Sequence, residues 1–92
     1  MSVKVRIPTQ LRSLSGGAGE VEVEAATVGE ALRALDSAHP GFAERLFDEG
    51  GGLRRFVNVF MGEEDIRFLD GLGTQTPSGC TVSVVPAVAG GQ

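Results

Sequence analysis

The sequence predicts an α+β fold, a mixed sheet of four to five strands packed on one main helix, and three features point to it. Alternating stretches of β-branched residues lie near both ends of the chain. One amphipathic helix with a capping signature follows the first pair of strands. Apolar runs punctuated by Gly, Asp and Pro fill the second half. The 92 residues leave room for one domain, and 41% hydrophobic residues can supply its core.

The elements follow in order. Val3, Val5 and Ile7 alternate with polar residues and read as a half-buried strand, which Pro8 ends because proline cannot donate to a ladder. Ser13 to Gly19 is rich in Ser and Gly and reads as a turn. Val21 and Val23 alternate with Glu20, Glu22 and Glu24, so the first two strands form a hairpin. Thr27-Val28-Gly29-Glu30 fits a capping box, in which the Thr27 hydroxyl takes the Glu30 amide and the Glu30 side chain returns to the Thr27 amide. Behind it Val28, Ala31, Leu32, Leu35 and Ala38 share one helical face. The helix should stop near His39, since Pro40 disfavours helix at the residue before it. Phe42, Leu46 and Phe47 suggest a short second helix, and Gly50-Gly51-Gly52 a flexible loop. Leu53 to Met61 is the longest strand signal. Gly62 to Asp65 reads as a turn, Ile66 to Phe68 as a short strand, and Thr81 to Val85 as the last strand, closed by Pro86. One helix against a mixed sheet is then the layer solution.

Charge and cysteine content narrow the function. Eight Lys and Arg stand against 12 Asp and Glu, a net charge of −4. Nucleic acid and anionic membranes call for the opposite sign. The single cysteine forms no internal disulfide, which fits a reducing cytosol. The charged N-terminal residues do not read as a signal peptide, and no apolar run reaches the ~20 residues that span a bilayer. The expectation is a cytoplasmic protein.

Side-chain chemistry is sparse. No nucleophile and base pair, metal cluster or cofactor loop stands out, so the expectation is that the chain is no enzyme. His39 has no metal-ligand partner, and Glu63, Glu64 and Asp65 read as an acidic solvated turn. Cys80 reads as a small apolar residue rather than a reactive thiol. Arg54 and Arg55 read as a solvated strand end. The triple glycine lacks the lysine and helix of a phosphate loop.

Two surfaces remain. The first is the ending Ala87-Val88-Ala89-Gly90-Gly91-Gln92, uncharged except at its end, small-sided, and able to reach roughly 20 Å when extended. Glycine lacks Cβ, so such a tail can enter a narrow channel and bend at its reacting atom. A frayed end is the plainer reading of a lone Gly-Gly. The second is a sheet face. If Val57, Val59 and Met61 face the helix, alternation sends Phe56, Asn58 and Phe60 outward. On the last strand Val82 and Val84 would point in and Val85 out. An exposed patch of two phenylalanines and a valine suits a partner site. A one-residue shift of register, or loops over this face, would remove it.

The element order, the stretch Val57 to Leu72 and the ending Val82-Ser83-Val84-Val85-Pro86-Ala87-Val88-Ala89-Gly90-Gly91 resemble the MoaD/ThiS family of ubiquitin-like, β-grasp sulfur carriers, and within it the carriers of actinobacterial cysteine biosynthesis. The resemblance covers nearly the whole chain. It implies a β-grasp domain over residues 1–86 and a flexible diglycine tail over 87–92. It also implies a protein co-substrate with no bound cofactor. An adenylyltransferase of the ubiquitin-activating type uses ATP to activate the terminal glycine, here Gly91 after Gly90. A sulfur donor converts the adenylate to a thiocarboxylate, which a biosynthetic enzyme of a cysteine, molybdopterin, thiamine or secondary-metabolite pathway consumes. Partner contacts would fall on Phe56, Asn58, Phe60, Val85, Pro86, Val88 and Ala89. The departure from the pattern is Gln92, which holds the Gly91 carbonyl in an amide. Either a peptidase, such as a JAMM-type zinc metalloprotease, removes Gln92, or the chain is a ubiquitin-like binding module or small subunit that carries no sulfur.

Overall fold

In a computed structural model, which describes residues 2–55 and 57–86, five strands form one mixed sheet in the order β2-β1-β5-β3-β4. Strand β1 is Ser2–Arg6, β2 Glu20–Glu24, β3 Val57–Met61, β4 Glu64–Asp65 and β5 Thr81–Pro86. Helix α1 spans Val28–Ala38 and α2 Phe42–Leu46. β1 and β2 pair antiparallel with Val3 opposite Val23 and Val5 opposite Val21, as the alternation requires. β5 lies between β1, to which it runs parallel, and β3, to which it runs antiparallel. The central position explains the burial of Val82 and Val84 on its inner face.

The sequence correctly places the core stripe of α1 up to its last member. Val28, Ala31, Leu32 and Leu35 are wholly buried and pack with Val3, Val5, Val59 and Val82. Ala38 is exposed, because α1 ends there and the core does not extend beneath its last residue. The cap departs by one residue from the expected box. Thr27 Oγ1 accepts the Glu30 N–H at 3.2 Å, but Glu30 Oε1 takes the N–H of Ala26, not Thr27, at 3.0 Å. Thr27→Ala should therefore lower stability by about 1 kcal/mol, read as a fall of about 4–8 °C in the thermal midpoint. Asp36 in α1 orients the next helix: its Oδ1 accepts the N–H groups of Gly41 and Ala43 at 3.2 and 2.8 Å. These are amides that the start of α2 cannot satisfy itself.

Three connections differ from the reading by pattern. The link between β1 and β2 is a 3-10 helix over Thr9–Ser15, with Leu11 and Ser15 buried, closed by Gly16 in the left-handed region. Pro8 starts it by accepting the Leu11 N–H on its carbonyl. The run Leu53 to Met61 is not one strand. Asp48 Oδ1 gathers the Gly50 and Gly52 N–H groups at 2.9 and 3.1 Å, and the resulting tight loop returns Leu53 to bridge Phe47. The ladder itself covers Val57–Met61. Finally, the short strand is Glu64–Asp65, and Ile66–Phe68 is a 3-10 turn. Asp65 Oδ1 accepts the Arg67 N–H at 2.8 Å, which turns the chain off the sheet and drops Ile66 into the core.

Candidate functional site: the sheet end that leads into the C-terminal tail

β5 is the element that delivers the tail. Its last pair joins Val57 to Pro86, so the chain passes from the middle of the sheet straight into residues 87–92. The predicted Val88, Ala89, Gly90, Gly91 and Gln92, together with Phe56, lie outside the described residues. Pro86 is placed by its backbone as the end of β5.

The predicted register holds. Val57, Val59, Val82 and Val84 face the core, while Val85 is 45% exposed on the other side. Asn58 is the residue opposite Val85, and Phe60 is opposite Ser83. Phe60 does not contribute the open aromatic surface expected of it. It is half-buried, set between Ser83 of β5 and Asp65 of β4. Because β4 pairs with β3 at Phe60 and Met61, the edge beside this ring is covered.

Two features escaped sequence reasoning. Arg67 clasps β3: Nη1 donates to Asn58 Oδ1 at 2.6 Å and Nη2 to the Val57 carbonyl at 2.9 Å. The outward face next to Val85 is therefore a fixed Asn–Arg pair rather than a loose polar rim. Next to Arg67, Phe68 is 85% exposed on a turn pinned by buried Ile66. The sequence pattern of Ile66–Phe68 reads as a short strand, which hides the exposure of Phe68.

The outward face is charged along β1 and β2. Arg6 stands between Glu20 of β2 and Ser83 of β5, and Lys4 between Glu22 and Thr81. This alternation of sign across strands favours the observed register. Among the described residues no three His, Cys, Asp or Glu side chains gather as a metal-holding group, and no helix is long and apolar enough to cross a membrane. Cys80, just before β5, is half-buried. Burial pushes its thiol above the usual cysteine range, only partly offset by a backbone hydrogen bond. The thiolate is the reactive form, so at pH 8 Cys80 should be alkylated more slowly than a free cysteine, as timed mass spectrometry would show. Its rate should rise as pH climbs toward the raised value.

This architecture is shared. The ThiS family model matches residues 5–91. The sulfur carrier protein CysO of Mycobacterium tuberculosis is 43% identical over 93 residues, covering 99% of this chain and all of that protein. The crystal structure of the Amycolatopsis orientalis BexX/CysO complex superposes with a TM-score of 0.90 at 45% identity, over 97% of this chain and 99% of that one. Small archaeal modifier protein 3 of Haloferax volcanii is 42% identical over 66 residues, covering 72% of this chain and 71% of that protein. With the family pattern spanning residues 5–91 and the β-grasp fold matched at a TM-score of 0.90, the chain belongs to the ThiS family, which is the MoaD/ThiS group of β-grasp proteins.

Proposed function

We propose that this protein is a sulfur carrier in which residues 1–86 form the recognition scaffold and residues 87–92 the delivery tail. The observation that carries the reading is the extent of the family match, which runs through Gly90 to Gly91 and leaves Gln92 beyond it. The similarity to CysO supports the carrier role.

A carboxylate is a poor electrophile, and the chain's own described residues offer no group that would activate it. The work is divided. After Gln92 is removed, a Gly91 carboxylate oxygen attacks the α-phosphorus of ATP on an adenylyltransferase and pyrophosphate leaves. A sulfur nucleophile then displaces AMP from the acyl carbon and leaves a thiocarboxylate. The thiocarboxylate sulfur attacks an electrophile held by the accepting enzyme. The carrier contributes reach and positioning: a rigid sheet binds the partner while a small-sided tail places the reacting atom. Asn58, Phe60, Val85 and the backbone end at Pro86 form the described part of the contact surface, and Arg67 fixes it. Phe56, Val88 and Ala89 extend the surface.

The test is mass spectrometry of the form ending at Gly91, incubated with ATP, an adenylyltransferase and a sulfur source. Replacement of one oxygen by sulfur on the C-terminal peptide is the expected result. An unchanged mass with an adenylyltransferase shown to be active on another carrier would overturn the proposal.

The likeness to small archaeal modifier protein 3 favours a second reading, in which the same activated glycine is transferred to amines of other proteins. Covalent conjugates that resist thiol and hydroxylamine treatment would mark that route. Simple docking without activation would leave Gly91 unmodified in both tests.

A further inference from the structure

A groove of roughly 420 Å³ opens beside Val85, between the end of β5 and the segment that leaves β1. Arg6, Pro8, Gln10, Arg12, Ser83 and Val85 line it. Its existence follows from a proline. The Lys4 N–H donates to the Cys80 carbonyl and the Gly62 N–H to that of Thr81, so successive carbonyls of β5 turn alternately toward β1 and β3. The Val84 carbonyl then turns toward β1, where the next ladder position belongs to Pro8, which has no N–H. The ladder ends at Arg6 and Ser83, the chain swings away into its 3-10 helix, and a strip of β5 edge is left beside the groove.

The groove is cationic in a chain whose net charge is −4. Arg12 is held in place: its Nε donates to the Ile7 carbonyl at 3.1 Å, and its guanidinium lies flat against Gly19, where an added Cβ would stand 3.2 Å from Cζ. That leaves its terminal nitrogens as pre-set donors for a carboxylate. Arg6 is flanked by Glu20 on the β2 side and by uncharged Ser83 on the side where the groove opens. The location matters as much as the charge. An enzyme that takes the tail must cover the scaffold around Val85, because the five residues from Ala87 to Gly91 reach only roughly 17 Å.

We infer that this groove receives an extended acidic segment of the adenylyltransferase, whose carboxylates meet Arg6 and Arg12 and whose backbone N–H meets the Val84 carbonyl. The inference rests on the carrier reading above.

The experiment measures ATP-dependent adenylation of the form ending at Gly91 at varied carrier concentration. Arg6→Glu with Arg12→Glu should raise KM by about tenfold or more with kcat little changed, and added salt should shrink the difference from the native chain. Arg33→Glu on α1, outside the groove, should leave KM as it was. Should the double variant fail to fold, Gln10→Glu places a negative charge in the same groove without disturbing the Arg12 contacts and should raise KM in the same direction. A KM within twofold of native in every folded groove variant would overturn the inference while leaving the carrier reading intact. Absence of adenylation in the otherwise unsubstituted form ending at Gly91 would overturn both. If the Arg6 and Arg12 side-chain N–H signals of the isolated protein change when residues 87–92 are deleted, the groove holds the chain's own tail and the inference fails.

Discussion

A chain that retains Gln92 is expected to be adenylated at least about a hundredfold more slowly than one ending at Gly91. The Gly91 carbonyl in that chain is an amide, with no carboxylate oxygen to attack ATP. The carboxylate of a terminal Gln92 is not an adequate substitute. It sits one residue further on, roughly 3.5 Å along an extended chain, and would carry a side chain into the narrow channel proposed for the glycine tail. Displacement of a reacting atom by ~1 Å can already cost on the order of 10² in rate. Pyrophosphate release from the two forms, compared at equal concentration, measures the ratio. Comparable rates would mean that the enzyme does not read the Gly91 terminus, and the division between scaffold and tail would lose its chemical basis.

Under the proposed function, Gln92 would act as a control point. While it is attached the scaffold can still dock, because Val85 and Asn58 lie on the folded sheet, with Arg67 bonded to Asn58, and not on the tail. An uncleaved chain should therefore compete with the mature form for the adenylyltransferase. A peptidase, of the JAMM metalloprotease type by resemblance, would switch the chain from competitor to substrate. Docking and reaction are separable because one lives on a rigid sheet and the other on its extension.

How much of this was legible depended on range. Period-two alternation at Val3, Val5 and Ile7, and at Val82 and Val84, fixes which face is buried without knowledge of the partner strand. The stop of α1 was legible because Pro40 acts on its immediate neighbour. Contacts between residues distant in sequence were not. Arg67 reads as an ordinary exposed arginine until β4 turns it back onto Asn58, and Phe60 reads as exposed until β4 covers its edge. Gly29 looks like a weak helix residue, yet the Leu72 carbonyl lies 3.2 Å from where its Cβ would be. The groove beside Val85 needed the register of β1 against β5, which no local pattern encodes. The Gly-Gly ending could be noticed as a pair, but its meaning came from the resemblance and from its place directly after β5.

Phe42→Ala is expected to have the largest effect on stability. Phe42 is 1% exposed and is the largest of the fully buried side chains among the described residues. It stands at the first position of a five-residue helix that is too short to persist alone. What holds α2 is Asp36 at its start and the burial of Phe42 and Leu46 beneath it. Removing the ring leaves a cavity with little around it able to collapse, a loss of about 3–5 kcal/mol. A domain of this size has only about 5–14 kcal/mol in total. The thermal midpoint should fall by about 15 °C or more. Val85→Ala, at an exposed position, should move stability by no more than about 0.5 kcal/mol. The two variants then separate scaffold from surface. Phe42→Ala, assayed well below its midpoint, should keep a near-native KM for the adenylyltransferase, because its cavity lies under α2 and the β5 end is built by β1 and β3. Val85→Ala should raise KM while melting like the native protein. A weakened KM in folded Phe42→Ala would show that the core beneath α2 and the tail's exit are coupled.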